Sequence, residues 1–531
     1  MNKEKKVLIA ERVNIEAIKK ILETEVEVDV KLDLEREELL KEIENYDGLI
    51  VRSSTKVNKE LLENAKKLKV VGRAGNGIDN IDIEAATRHG VVVANTPDSN
   101  SISACELTIG LLLASSRNIT KANSYLKSGK WDRKRFIGTE MYNKTLGIVG
   151  LGRIGGLVAT RMKAFDMNVI AYDPYILDER FERYGVTKKE TLDELLEESD
   201  FITVHTPKTP ETIAMISYEE IKKMKDGVRV VNVARGGIID ERALLEGIKS
   251  GKIVGSGIDV HEQEPSYNNP LFDLEETVVT PHLGASTNEA QENVGVSIAK
   301  QVLCALEGEV VPNAINLPTL NRDELKAIKP YLELMEKLGK IYYQLYSSPI
   351  DMVDINYHGS ISNQDVEMIT VAFIKGLLEP VIKERVNYVN ARLIAKKRGI
   401  VVNESKYSEN YNGYTDLVKV KIRSKDYVFT LSGNLSTKKE GRLVEILGYE
   451  VDVMPSEHMI IIQNKDIPGV IGHIGTLLGN ENVNIASMQV GRRNIGEEAL
   501  MLLNVDNNVS NETLKKVKTI DNVLSSKKVR L

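Results

Sequence analysis

The sequence has few of the residues that build covalent frameworks, and it has no long apolar run. Only Cys105 and Cys304 are cysteines among 531 residues, so neither a disulfide framework nor a thiolate metal site is expected. No stretch of 18 apolar residues occurs, and the run VLIA near the N-terminus is too short for a signal peptide. The net charge of -6 argues against a general binder of nucleic acid or membrane surfaces. These absences predict a cytoplasmic protein of several domains.

Short apolar runs alternate with helical patterns through the first part of the chain. KVLIA, DGLIVRS, LKVVGRAG and GVVVANTP predict strands, and segments such as EREELLKEIENY have helical spacing between them. Strands that alternate with helices imply a parallel sheet covered on both faces. The pattern restarts at Thr145 and continues through roughly six more strands. We therefore predict an α/β protein with two doubly wound, Rossmann-like parallel sheets.

The second half of the chain changes character after Pro312. VPNAINLPTL predicts a linker, and the helical and then β-rich sequence that follows, up to Met454, predicts an α+β domain. Residues 458–531 show the order βαββαβ, which is typical of a ferredoxin-like module.

The most specific local signal is the glycine loop in TLGIVGLGRIGG. Gly150, Gly152 and Gly155 form G-x-G-x-x-G between an apolar strand and a helix. Such glycines allow a tight turn, a close approach of backbone N–H groups to a pyrophosphate, and close helix–strand packing. Asp173 ends the next strand, where it would accept hydrogen bonds from ribose hydroxyls and repel a 2′-phosphate, and Pro174 follows it in place of a basic residue. The motif predicts NAD rather than NADP; the alternative is a tight turn without a ligand.

Three later strands end in side chains that suit hydride transfer. VRVVNVARGG ends at Arg235, IVGSGIDVHEQEP runs from Asp259 to Glu264, and TVVTPHLGAST ends at His282. Residues just past the carboxyl ends of parallel strands face the ligand crevice. The histidine would take an alcohol proton while hydride leaves the same carbon, the glutamate would orient the imidazole, and the arginine would grip a carboxylate. Each residue alone could be structural, but three strand ends together predict a dehydrogenase.

The acidic cluster DVHEQEP does not predict a metal site. Pro265 stands where His-Glu-x-x-His needs its second histidine, and the other histidines are scattered. We expect functional roles for Asp259 and Glu264, and we expect His261 and Glu262 to be ordinary loop residues.

These motifs resemble a known family. GLGRIG, NVARGGIID and PHLGAST are similar to the D-isomer-specific 2-hydroxyacid dehydrogenases over the first ~315 residues. VGRAGNGIDNIDIEAAT and GKWDRKRFIGTEMYNKTLGIVGLGRIG resemble more narrowly the branch that oxidises 3-phospho-D-glycerate with NAD and so opens the phosphorylated route to L-serine. ERVNYVNARLIAKKRGI and LSGNLSTKKEGRLVEILGYEVDV resemble an intervening allosteric substrate-binding domain, and NKDIPGVIGHIGTLLGNENVNIASMQVGR resembles an ACT domain.

The resemblance implies a division of the chain into four domains. They are a substrate-binding domain (1–97 and 290–315), an NAD-binding Rossmann domain (98–289), the intervening domain (316–454) and the ACT regulatory domain (455–531). It also implies a homotetramer whose partners are small molecules, without nucleic acid or membrane.

Carried over to matching positions, the family's catalytic residues fall on Arg235, Glu264 and His282. The resemblance assigns NAD to Asn76, Gly150, Gly152, Arg153, Ile154, Gly155, Asp173, Thr206, Val233, Ala234, Asp259, Leu283, Gly284 and Ala285. Asn76 stands where many relatives have threonine and keeps a hydrogen-bonding side chain. A substrate with about three negative charges needs a cationic pocket. The resemblance assigns it to Arg52, Ser53, Arg73, Gly75 and Arg133.

The ACT resemblance implies L-serine as an effector. It assigns the effector to Asn464, Asp466 and Asn484; the alternative is a module that serves assembly alone. The basic run Lys438, Lys439 and Arg442 predicts either an anion site in the intervening domain or a solvated loop.

Three alternatives to phosphoglycerate oxidation stay open at this stage. One is a sister enzyme acting on glyoxylate, hydroxypyruvate or D-lactate, which would need neither Arg52 and Arg73 nor the C-terminal domains. Another is reduction of 2-oxoglutarate to 2-hydroxyglutarate as a side activity of the same site. The last is a non-catalytic, NAD-sensing corepressor, which should carry disordered partner-binding tails.

Overall fold

Five parallel strands form the first sheet of the computed structural model, which describes residues 4–97, 99–318, 322–346, 348–425 and 427–531. The order is β2-β1-β3-β4-β5. The strands are β1 (Lys6–Ile9), β2 (Glu27–Val30), β3 (Gly48–Val51), β4 (Val70–Arg73) and β5 (Val92–Ala94), with helices α1 (Ile15–Leu22), α2 (Arg36–Glu42), α3 (Lys59–Asn64) and α4 (Ile83–Arg88). Strand β2 was not predicted from the sequence, because the prediction relied on continuous apolar runs. Its residues, EVDV, alternate in polarity, as suits a half-buried edge strand.

Seven parallel strands form the second sheet, in the order β12-β11-β10-β9-β6-β7-β8. They are β6 (Thr145–Val149), β7 (Asn168–Tyr172), β8 (Thr187–Lys188), β9 (Phe201–Val204), β10 (Val228–Asn232), β11 (Ile253–Ile258) and β12 (Thr277–Val279). Its helices are α5 (Ser101–Ser116), α6 (Ile119–Lys127), α7 (Arg153–Lys163), α8 (Asp178–Tyr184), α9 (Leu192–Glu198), α10 (Tyr218–Lys223) and α11 (Glu241–Lys249). The two-residue strand β8 is the one missed by the estimate of six. Strand order reverses between β6 and β9, and this switch point opens a crevice at the carboxyl ends.

Helix α12 (Asn288–Glu307) carries the chain back to the first sheet. Ile298 and Val302 are fully buried, and both would lie 2.8 Å from a Cβ at Gly72, so the glycine lets the helix approach β4 closely. Ala314 then forms a bridge with Ala94 of β5. The first sheet is therefore completed by residues that follow the second. The end of the predicted linker, residues 319–320, lies outside the described residues.

A mixed six-stranded sheet, in the order β14-β13-β15-β16-β17-β18, follows. It comprises β13 (Met352–Gly359), β14 (Val401–Tyr407), β15 (Asp416–Arg423), β16 (Val428–Leu435), β17 (Gly441–Ile446) and β18 (Tyr449–Val453), with α13 (Arg322–Leu345), α14 (Glu367–Leu378) and α15 (Ala391–Lys397). Cβ atoms at Gly339 and Gly376 would lie 2.3 and 2.0 Å from the carbonyl oxygens of Phe373 and Glu336. These glycines therefore let α13 and α14 pack backbone against backbone.

The last sheet is antiparallel, in the order β20-β21-β19-β22. Its elements are β19 (His458–Lys465), α16 (Val470–Asn480), β20 (Ile485–Arg492), β21 (Glu498–Val505), α17 (Asn511–Lys518) and β22 (Val523–Arg530), so the predicted βαββαβ order is confirmed. Short 3₁₀ helices lie at Ile43–Asn45, Lys134–Phe136, Pro270–Asp273 and Ser360–Asn363. Met459, Ile461 and Leu502 on the face opposite the helices belong to the same core as α13. The last two modules thus share a hydrophobic core.

A segment of the third module docks on the first. The Asn387 side-chain amide donates to the Gly90 carbonyl at 2.6 Å, and Val389 is buried in the core formed with α12. Tyr388 contacts both cores, and its hydroxyl donates to Glu336 of α13 at 3.0 Å. Among the described residues, no helix is long and apolar enough to cross a membrane.

Candidate active site

His282 and Glu264 meet beyond the carboxyl ends of the neighbouring strands β12 and β11. Nδ1 of His282 lies 2.7 Å from Oε2 of Glu264, and Oε1 accepts the backbone N–H of His261 at 3.0 Å. Partial burial raises the pKa of Glu264, but the bonds from His282 and His261 outweigh it, so the pKa falls below its usual 4.5. An ionised carboxylate can only accept, so Nδ1 carries the proton and Nε2 is the basic nitrogen.

Asp259 shapes the loop that presents His282. The histidine has a left-handed backbone, with φ of +57°, and its N–H donates to the Asp259 carbonyl at 2.8 Å. The buried Asp259 carboxylate accepts from Thr280 Oγ1 at 2.5 Å and from the backbone N–H groups of Leu283 and Gly284 at 2.6 and 2.9 Å. Both oxygens are thus used inside the loop. The predicted contact between Asp259 and the cofactor stays a prediction.

Arg235 lies where the two parallel-sheet domains face each other. One guanidinium nitrogen donates to the Ala234 carbonyl at 2.7 Å, and Nε lies 3.9 Å from Oδ2 of Asp79 in the first domain. A Cβ at Gly236 would lie only 1.8 Å from the His261 carbonyl oxygen. Glycine is therefore needed for the Arg235 loop to pack on the Glu264 loop.

Two arginines of the first domain, Arg52 and Arg73, lie near Arg235. Nε of Arg73 donates to the Arg52 carbonyl at 3.1 Å. Burial, with the neighbouring charge of Arg235, lowers the pKa of Arg73 to about 10, so the guanidinium is still charged at neutral pH. A Cβ at Gly75, where φ is +143°, would lie 2.2 Å from the Arg73 guanidinium, so glycine is required there. These contacts describe a receptor for an anion.

The glycine loop has the geometry that a dinucleotide needs. Gly150 has φ of +92°, and a Cβ at Gly155 would lie 2.2 Å from the Gly150 carbonyl oxygen, so the turn and the helix–strand packing both depend on glycine. A Cβ at Gly152 would meet open space, and no side chain caps the start of α7. Asp173 accepts the N–H of Leu151 at 3.0 Å. The loop therefore offers free space and uncapped helix N–H groups to a pyrophosphate.

The other predicted cofactor residues lie at the same edge of the second sheet, apart from Asn76. They are Arg153 and Ile154 at the start of α7, Thr206 after β9, Val233 and Ala234 after β10, and Leu283, Gly284 and Ala285 after β12. Oγ1 of Thr206 is buried without a hydrogen-bond partner, which leaves a polar atom for a ligand to satisfy. Asn76 is exposed on the loop after β4. The residues fit a bound NAD.

Arg133 is not brought to the other arginines of its own chain. It is exposed, and Nη2 of nearby Arg135 lies 2.8 Å from Glu275, which precedes β12. That is the amino edge of the sheet, opposite the edge where Arg235 lies. Its assignment to the substrate pocket of the same chain finds no geometric support.

The three predicted effector residues are also not gathered within one chain. Asp466 accepts a hydrogen bond from Arg492 at 3.3 Å. Asn464 lies opposite Ala499 of β21 in the sheet, and its side-chain Oδ1 is buried without a hydrogen-bond partner. Asn484 donates to Asp506 at 2.7 Å at the other end of β21, roughly 20 Å away along the strand. The motif match placed them in one site because sequence does not show which end of the sheet each occupies.

The basic run of the intervening domain lies in the β16–β17 hairpin. Arg442 is paired with Asp452, and Lys438 and Lys439 are exposed. The pairing of Arg442 favours the solvated loop over the anion site. Among the described residues, no group of three His, Cys, Asp or Glu is placed to hold a metal.

Two residues that support the site, His261 and Glu262, were not predicted to do so from the sequence. Buried His261 packs edge-on against Phe272 at 5.2 Å while its N–H holds Glu264. The N–H of Glu262 donates to Glu241 at 2.7 Å and its carboxylate accepts the Glu241 N–H at 3.1 Å, which fastens the loop to α11. Both residues therefore do more than the ordinary loop role expected of them. Nothing in their local sequence signals it.

Comparisons with known proteins match three segments to family models. They are the D-isomer specific 2-hydroxyacid dehydrogenase NAD binding domain over residues 109–284, the D-3-phosphoglycerate dehydrogenase intervening domain over 327–447, and the ACT domain over 458–522.

The matching curated relatives include D-3-phosphoglycerate dehydrogenases. That of Methanocaldococcus jannaschii is 46% identical over 98% of both chains, and that of Archaeoglobus fulgidus is 45% identical over 99% of this chain and 100% of the relative. A D-lactate dehydrogenase from Aquifex aeolicus, solved with NAD and lactic acid, has a TM-score of 0.53 at 28% identity and covers 59% of this chain and 100% of its own.

Proposed function

The chain belongs to the D-3-phosphoglycerate dehydrogenase family, and on that premise we propose that it oxidises 3-phospho-D-glycerate to 3-phosphohydroxypyruvate with NAD. The observation that carries the proposal is the meeting of Arg235, Glu264 and His282 at three adjacent strand ends, beside Arg52 and Arg73. The reaction is the first step of the phosphorylated route to L-serine.

Each of the three residues has a distinct task in the reaction. Bound NAD supplies the acceptor for the hydride that leaves C2 of the substrate. Nε2 of His282 takes the hydroxyl proton, and ionised Glu264, at 2.7 Å from Nδ1, stabilises the imidazolium that forms. Arg235 binds the substrate carboxylate and polarises the new carbonyl group.

The arginine cluster favours a phosphorylated substrate over lactate or glycolate. A phosphate and a carboxylate together bring about three negative charges, which suit Arg52, Arg73 and Arg235. The Aquifex aeolicus D-lactate dehydrogenase covers 59% of this chain. The rest of this chain therefore has no counterpart in it.

The reaction is tested by NADH formation at alkaline pH with 3-phospho-D-glycerate, D-glycerate and D-lactate. We expect turnover with the phosphorylated acid. Turnover with D-lactate alone would mean a sister dehydrogenase, and no turnover with any of the three would favour a corepressor. His282→Ala should abolish turnover and keep NADH binding, whereas His473→Ala, at an exposed position in α16, should change neither.

We extend the proposal to assembly and regulation. We propose that the chain divides at the bounds given by the sequence, 1–97 with 290–315, 98–289, 316–454 and 455–531, and the presence of four separate sheets supports this division. We propose a homotetramer in which L-serine binds the ACT modules. Since Asn484 lies at the far end of the sheet from Asp466, a site using both residues needs two copies of the domain.

The effector proposal predicts a particular exchange of partners. The serine ammonium would replace Arg492 on Asp466, because both cations need the same carboxylate. L-Serine should inhibit the native enzyme and spare Asp466→Ala, while Asp521→Ala, at an exposed site of the same module, should stay sensitive. Equal inhibition of both variants would refute this site.

A further inference from the structure

A half-buried carboxylate outside the catalytic group, that of Glu11, holds a loop on the substrate side of the cleft. Glu11 follows β1, and β1 pairs directly with β3. Its Oε2 accepts the backbone N–H groups of Ser53 and Ser54, each at 3.1 Å, and Oε1 accepts that of Thr55 at 2.7 Å. One side chain thus engages three successive N–H groups of the loop that follows β3.

The carbonyl groups of the same loop are held from the other side. Nδ2 of Asn80 donates to the carbonyls of Arg52 and Thr55 at 3.1 and 2.7 Å, and Arg73 donates to the Arg52 carbonyl at 3.1 Å. The loop backbone is therefore fixed through both its donors and its acceptors. An unpaired loop of this length would sample several conformations.

The position of Glu11 is unexpected for a pocket that binds anions. A carboxylate beside Arg52 and Arg73 would weaken an anion's attraction unless its charge were otherwise engaged. Burial raises the pKa of Glu11, but the hydrogen bonds from the backbone N–H groups of the loop outweigh it and hold the pKa below 4.5. The charge is ionised and directed at backbone donors.

We propose that Glu11 is a positioning residue for substrate recognition, which fixes residues 52–55 so that Arg52 and Ser53 meet the anionic groups of the substrate. This proposal rests on the proposed function, which makes Arg52 and Ser53 substrate residues. Preorganisation of the loop spares the substrate the ordering that would otherwise weaken its binding.

The test compares Glu11→Gln with Glu16→Gln, which removes the same charge from an exposed position in α1. A glutamine keeps one acceptor oxygen and turns an NH₂ group towards backbone donors. We expect the KM for 3-phospho-D-glycerate to rise about tenfold or more in Glu11→Gln, the equivalent of one lost charge-assisted hydrogen bond, with kcat and NADH binding unchanged.

A second readout does not depend on activity. Amide hydrogen exchange followed by mass spectrometry should accelerate in the peptide containing residues 53–55 of Glu11→Gln, and not in Glu16→Gln. Faster exchange with an unaltered KM would show that Glu11 serves folding alone and would overturn the proposal. Unaltered exchange would overturn it as well.

Failure of the proposed function gives a different pattern. If the native enzyme and Glu16→Gln both fail to turn over 3-phospho-D-glycerate, the function is rejected and this proposal with it. If Glu11→Gln does not fold, the test uses Glu11→Asp instead. This variant keeps the charge but shortens the side chain by ~1.5 Å. Its KM should also rise, and a native KM would refute the positioning role.

Discussion

Replacing Glu264 with glutamine should slow hydride transfer without weakening cofactor binding. The substitution keeps the size of the side chain and removes the charge that faces His282 at 2.7 Å. A hydrogen bond to a charged group contributes about 1.5–3 kcal/mol. The side chains of His282 and Glu264 are 47% and 36% exposed, so solvent screening favours the lower end, about 1.5–2 kcal/mol.

That loss falls on the step in which His282 becomes positively charged. Each 1.36 kcal/mol is a factor of ten in rate, so kcat should fall roughly 10- to 30-fold. A glutamine NH₂ that donates to Nδ1 would also move the ring proton to Nε2, which would enlarge the effect.

The assay is the initial rate of NADH formation at saturating substrate, with NADH binding measured in parallel. Glu292→Gln, an exposed position in α12, is the matched control and should behave as the native enzyme. A kcat within twofold of the native value would refute the charge-stabilising role of Glu264. Loss of NADH binding together with kcat would instead mean a structural role.

Other substitutions test the supports around this pair. Asp259→Asn should lower the free energy of unfolding of the NAD domain by about 2–4 kcal/mol and reduce kcat. The reason is that a neutral side chain replaces the buried acceptor of three hydrogen bonds. An unchanged melting temperature would contradict this. Gly236→Ala should reduce kcat/KM about 100-fold, since its Cβ would overlap the His261 carbonyl, whereas Gly110→Ala, which meets no neighbour, should not. The lowered pKa of Glu11 means that its carboxylate stabilises the fold above its usual pKa of 4.5, and that this contribution is lost as pH falls through the lowered value. The difference in melting temperature between native protein and Glu11→Gln should therefore be large near neutral pH and shrink as the pH falls below 4.5; a constant difference would contradict it.

The sequence predicts the parts of the site that depend on local pattern. The glycine loop and the ends of β10, β11 and β12 follow from apolar runs, glycines and a parallel-sheet rule, so Arg235, Glu264 and His282 could be placed before any contact was known. Whether the three side chains lie close together depends on the order of the strands in the sheet. The sequence pattern predicts that order only if the fold class is assumed.

The residues that hold the site's loops in place could not be predicted in that role, because each contacts residues that are distant in the sequence. Glu11 reaches Ser53 across 42 residues, and Asp259 acts on a loop 24 residues later. Neither contact has a local signature, although Asp259 itself was predicted as a functional residue from its place at a strand end. The position of Asn484 relative to Asp466 could not be predicted either, because the strand geometry puts the two residues at opposite ends of the sheet within one chain.

The central claim is that hydrogen at C2 of 3-phospho-D-glycerate leaves as hydride while His282 takes the hydroxyl proton. The most direct measurement is the mass of the NADH formed from substrate carrying deuterium at C2, in ordinary water. This mechanism predicts one deuterium in each NADH and a slower rate than with unlabelled substrate. NADH without deuterium would contradict it.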